Sequence, residues 1–175
     1  MNRSLLITAT TGILIAFAGC KEASTEHASA TATPEQQTSP NTWLLTSAPD
    51  GAVSISEARA NSKEGDTVVI RGRIGGRHSP ISEGSPVFTI VDLAISYCGQ
   101  YDDDGCSTPW DYCCETSETI IGNSVTVQVI ADGGVNPVAA GLEALDEVVL
   151  IGTVGPRPTE EVLTVRATGV YLAGG

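Results

Sequence analysis

Residues 123 to 172 read NSVTVQVIADGGVNPVAAGLEALDEVVLIGTVGPRPTEEVLTVRATGVYL. The run Asn123 to Ala131 alternates Val125, Val127 and Val129 with Thr126 and Gln128, so a pleated strand places the three valines on one face. Glu147 to Val154 (EVVLIGTV) is a nearly continuous apolar run, which predicts a strand buried on both faces. Glu161 to Leu172 (EVLTVRATGVYL) returns to alternation. Between the first two, Asn136 to Asp146 puts Pro137 at a first turn and Val138, Leu142 and Leu145 at helical spacing, predicting a short helix. Gly152 and Gly169 fall inside strands, where glycine marks a bulge or a sharp bend.

Upstream, Asp66 to Ile74 (DTVVIRGRI) alternates Val68, Ile70, Gly72 and Ile74 with Val69, Arg71 and Arg73. Pro86 to Leu93 (PVFTIVDL) is a short β-branched run. Ser54 to Asn61 (SISEARAN) predicts an N-terminal helix opened by a serine and stopped before Gly65. The order is helix, strand, strand, long loop, strand, helix, strand, strand, a mainly β chain. Five strands with a short helix between the third and fourth resemble the OB-fold, a small five-stranded Greek-key barrel, over residues 53 to 173. A β-sandwich ordinarily needs more strands.

The first twenty residues predict export. Arg3 gives a positive start, and Ser4 to Gly19 (SLLITATTGILIAFAG) then run without charge. That run is shorter than the roughly 20 residues a membrane-spanning helix needs, and it ends in small residues as cleaved signals do. Phe17-Ala18-Gly19-Cys20 resembles a lipobox, which implies a bacterial lipoprotein: residues 1–19 removed, and Cys20 carrying lipid that anchors the protein to a membrane. Residues 20–42 follow as a polar tether with too little apolar surface to offset the entropy of ordering. Residues 43–175 are then the folded domain.

The chain carries 9 Lys and Arg against 21 Asp and Glu. From residue 43 onward the balance is 7 against 18, a net of −11. Nucleic-acid binding draws on cations that release counterions from phosphates, so nucleic acid is excluded as the expected partner. An envelope protein or a glycan is expected instead.

Residues 93–122 (LAISYCGQYDDDGCSTPWDYCCETSETIIG) hold Cys98, Cys106, Cys113 and Cys114, four of the five cysteines. In an exported protein, four cysteines read first as two disulfides. Neighbours in an extended chain point to opposite sides, so Cys113 and Cys114 are each expected to bond back to one of Cys98 and Cys106, with either assignment open. The alternative is a metal site. Cys-x7-Cys-x6-Cys-Cys lacks the paired knuckles of structural zinc sites, yet vicinal thiols suit soft ions such as Cu(I). An oxygen-ligand reading places Gln100, Asp102, Asp104, Gly105 and Asp111 at positions 1, 3, 5, 6 and 12 of a calcium loop, without the usual Asp first and Glu last. Trp110 and Tyr112, flanking Asp111, are candidates for binding a glycan or peptide, or for covering the cysteines at the barrel mouth.

Catalysis finds little support. His78 is the domain's one histidine and has no defined nucleophile partner, and no nucleophile elbow, zincin helix or phosphate loop is present. Arg71 and Arg73 share a strand face beside Arg77, which reads as a salt-bridged barrel exterior. The combination of lipoprotein signal, polar tether and OB-like barrel carrying TPWDYCC is similar to a group of bacterial envelope lipoproteins, a resemblance that brings no activity with it. The sequence therefore predicts a non-enzymatic, cofactor-free, lipid-anchored envelope protein that presents a stapled loop, with metal binding as the alternative.

Overall fold

The computed structural model describes residues 42–100 and 105–174. The export signal, Cys20, nearly all of the tether, and Asp102 and Asp104 of the calcium reading lie outside the described residues. The elements are α1 (Ile55–Asn61), β1 (Thr67–Ile74), β2 (Val87–Val91), a 3-10 turn (Pro109–Asp111), α2 (Ser117–Gly122), β3 (Ser124–Val129), β4 (Glu147–Val154) and β5 (Thr164–Ala173).

The strands close into a barrel in the order β1-β2-β3-β5-β4, with β4 returning to pair with β1. All pairs are antiparallel except β3 with β5. A closed five-stranded barrel with this mixed order is the OB-fold. Closure comes from period-two patterning: Ile70, Ile74, Ile90, Val125, Val127, Leu150 and Val165 all turn inward and are fully buried. Gly152 is where β4 bends. The register of β4 against β5 shifts between Ile151 and Gly152, and a Cβ at Gly152 would stand 2.8 Å from Ala167 Cα. The bulge therefore needs a residue without a side chain.

Two expectations are corrected. β4 is buried on one face only: Val148, Leu150, Gly152 and Val154 are buried, while Val149 and Ile151 are half-buried outside. A barrel has a single interior, so a strand between two others still shows one face to the surface. Asn136 to Asp146 does not become a helix. It makes one turn, with Ala140 N–H donating to Asn136 O (3.1 Å) and Leu142 N–H to Pro137 O (3.0 Å). Gly141 at φ +94° and Leu145 at φ +74° then leave the helical region.

The helix between strands lies elsewhere, at α2 ahead of β3, where the Thr116 side chain caps it by accepting the Thr119 N–H at 3.1 Å. α1 packs on β1 and buries Ile55 and Ala58, with Ser54 Oγ accepting the Glu57 N–H at 3.1 Å. From α1, Arg59 donates to the Ile121 and Ser124 carbonyls (3.1 and 2.6 Å), tying the end of α2 and the start of β3 to the helix. Burial, and then the neighbouring Arg157 charge, lower the Arg59 pKa. Buried Asp92 accepts N–H groups from Ser56 (3.0 Å) and Ala94 (3.1 Å), fixing the point where the cysteine loop leaves β2.

Candidate functional site

The loop from Asp92 to Asn123 leaves and rejoins the barrel at one place, because Asp92 N–H donates to Asn123 O at 2.9 Å. Its 3-10 turn is held from inside by Asp111, whose carboxylate accepts from Thr108 Oγ1 (2.9 Å) and from the Cys113 N–H (3.0 Å). It is held from outside by the end of β1. Gly76 N–H donates to Trp110 O at 2.8 Å, and Trp110 Nε1 donates to His78 O at 3.0 Å. This approach is possible only over glycine. A Cβ at Gly75 would stand 2.6 Å from the Tyr112 ring and 2.8 Å from Trp110 O.

Tyr112 takes the left-handed conformation (φ 59°) and turns its ring into the protein, where it is 1% exposed. It packs edge-to-face on Tyr97, with centroids 6.5 Å apart. The Arg73 guanidinium lies 4.8 Å above the Tyr97 ring and pairs with Glu147 at 2.5 Å. A cation over an aromatic face is attracted by the ring quadrupole, so Arg73 pins Tyr97. Tyr97 precedes Cys98 and Tyr112 precedes Cys113, so the ring contact carries the two cysteines together.

Sulfurs far apart in sequence converge as a result. Cys98 Sγ lies 3.2 Å from Cys113 Sγ and 3.1 Å from Cys114 Sγ, and Cys106 Sγ lies 3.3 Å from Cys113 Sγ. The Cys114 N–H also points to Cys98 Sγ at 3.3 Å. A disulfide bond is about 2.05 Å long. Thiolates around a tetrahedral ion at about 2.3 Å stand about 3.8 Å apart. Cys98 and Cys113 each touch two other sulfurs, whereas a disulfide uses each sulfur once. The ligand atoms of Cys98, Cys106, Asp111 and Cys113 lie within 4.8 Å of one another.

Burial raises the Cys98 thiol pKa, but hydrogen bonds from Cys113, Cys114 and Cys106 outweigh it, and the net shift is downward. The same contacts push Cys113 upward, Cys98 first and then Cys106. Burial raises the Tyr112 hydroxyl against the opposing effect of Arg73.

All four sequence-predicted cysteines meet here, through the contacts Cys98–Cys113, Cys98–Cys114 and Cys106–Cys113. Asp111 faces the sulfurs and orients Cys113, while Asp102 and Asp104 of the calcium reading lie outside the described residues. Tyr112 is buried and Trp110 half-buried, the latter held to Gly76 and His78. His78 and Arg77 are exposed and line a cavity with Cys113. Arg73 does form the salt bridge expected of the strand arginines, but its contact with Tyr97 was missed. So was the Gly75-Gly76 pair, whose position directly after a strand was the available signal for a close backbone approach.

No family model matches this chain, and no curated protein does. Among solved structures it is similar to the telomere capping protein Ten1 from Saccharomyces pombe (11% identity over 71% of this chain and 81% of that one, TM-score 0.36). It is also similar to the E. coli protein ygiW (15%, 72% and 95%, TM-score 0.36) and to OBody AM1L10, solved bound to hen egg-white lysozyme (15%, 75% and 99%, TM-score 0.40). Likeness at this level says nothing of ligand or activity. The strand order alone establishes the fold.

Proposed function

We propose that this chain is a lipid-anchored envelope protein whose barrel end holds one thiophilic d10 ion, Zn2+ or Cu+. Cys98, Cys106 and Cys113 are the ligands, with Cys114 or Asp111 as fourth donor. The observation that carries this reading is the branched sulfur contact, in which Cys98 and Cys113 each touch two other sulfurs. Opening those contacts by about half an ångström gives the spacing that a tetrahedral thiolate site needs. The sequence put the stapled loop first; the branching favours the metal. The barrel supplies rigidity, and burial of Cys98 keeps solvent from one sulfur of the centre while Cys113 and Cys114 stay exposed.

A second reading keeps the stapled loop, because Cys98 with Cys114 (3.1 Å) and Cys106 with Cys113 (3.3 Å) form two simultaneous pairs. Full-length protein extracted from membranes without reductant separates the two by thiol counting and metal analysis. The metal reading expects one retained Zn or Cu per chain, with three thiols, or four where Cys114 is the fourth donor, appearing only after chelation, because coordination needs thiolates. Two disulfides and no metal would sink it. The anchor is tested apart: Cys20→Ser should abolish lipid labelling and leave unprocessed precursor, and unchanged labelling would remove the lipoprotein reading.

A further inference from the structure

A cavity of about 590 Å³ opens beside the sulfur cluster, lined among others by Arg77, His78, Asp111, Tyr112, Cys113 and Glu115. Its walls differ in chemistry. Cys113 is exposed, whereas Cys98 is 2% exposed, so Cys113 is the edge of the cluster that an incoming molecule reaches. Arg77 lines the same cavity, and its side chain has no hydrogen bond or ion pair among the described residues. In a domain with 18 acidic and 7 basic side chains, a guanidinium without a partner among the described residues is the cationic group this cavity offers an anion, beside the carboxylates of Asp111 and Glu115. Arg73, by contrast, is already committed to Glu147.

We propose that the cavity is a docking site for a small anionic thiol, its carboxylate held by Arg77 and its sulfur directed at the cluster, and that metal leaves or enters by thiol exchange at Cys113. This rests on the metal reading above. In the exchange the metal–sulfur bond to Cys113 breaks and a metal–sulfur bond to the incoming thiol forms. The thiol's proton passes to the Cys113 sulfur, and no oxidation state changes. Cys98, 2% exposed, stays bound through this first exchange, and the metal leaves the protein only when the remaining metal–sulfur bonds are exchanged in the same way with further thiols, each passing its proton to the cysteine it displaces.

The test uses full-length protein loaded with Zn2+ and compares zinc transfer to mercaptosuccinate, which is anionic, with transfer to 2-mercaptoethanol, which is neutral, at matched thiolate concentration and low salt. Wild type is expected to favour mercaptosuccinate. Arg77→Gln should cut that preference by about threefold or more while leaving the mercaptoethanol rate unchanged, and added salt should mimic it. Arg71→Gln, on exposed β1 surface away from the cavity, should leave the preference intact. An unchanged preference in Arg77→Gln, or an equal loss in Arg71→Gln, overturns the docking site while the metal reading stands. Protein that takes up neither zinc nor Cu+ overturns both.

Discussion

Gly75 shows how much of the site hangs on a single missing side chain. The 3-10 turn reaches the end of β1 because nothing projects from Gly75, and a methyl there would meet the Tyr112 ring at 2.6 Å and the Trp110 carbonyl oxygen at 2.8 Å. Neither neighbour is free to give way. Tyr112 is wedged against Tyr97, and the Trp110 carbonyl already accepts from Gly76. Gly75→Ala should therefore push the turn off the barrel and cost about 1–3 kcal/mol, the usual size of overpacking, in equilibrium denaturation. Because Tyr112 precedes Cys113, the same change should slow metal uptake or raise thiol reactivity in the metal-free protein. A variant that loses stability but keeps wild-type sulfur chemistry would mean that the cysteines are oriented by something other than this turn.

At the scale of elements, what was legible in the sequence was what depends on local period. The strands read from alternation hold their inward residues as expected, since Val125, Val127, Val129, Ile70 and Ile74 all face the core. The barrel follows from them. The segment Asn136–Asp146 shows where period misleads. Leu142 is fully buried and Val138 exposed, so the spacing that resembled a helix face records one apolar plug and one surface residue. A single turn ended by Gly141 is enough to place Leu142. α2 escaped notice because its six residues sit inside a stretch whose cysteines and acidic residues read as loop, with only the Thr116 cap to announce it. The cysteines were legible as a group of four, but their convergence was not. It depends on Gly75, Arg73 and Tyr97 meeting residues 109 to 113 from other parts of the chain, and no local pattern encodes those meetings.

Across the whole molecule, the buried core and the cysteine cluster are separate. Among the described residues the core runs through Trp43, α1 and the five strands with Leu142 and Leu163, and none of its members lies between Asp92 and Asn123. The barrel should accordingly fold without the cluster. Replacing Cys98, Cys106, Cys113 and Cys114 together by alanine should preserve the far-UV spectrum and cooperative melting. The variant also distinguishes the two roles for the sulfurs. If they hold metal, metal-free wild type and the variant should melt within about 1 kcal/mol of each other, since neither has anything bound. Zinc should then raise only the wild type, by about 4 kcal/mol at a free concentration 1,000 times its dissociation constant, a shift on the order of 10 °C. If they form bridges, the variant should fall below untreated wild type by roughly 2–3 kcal/mol per bridge. Reductant should lower wild type to match, and zinc should raise neither. Loss of cooperative melting in the variant would show instead that the loop supports the barrel, against the division drawn by the buried residues.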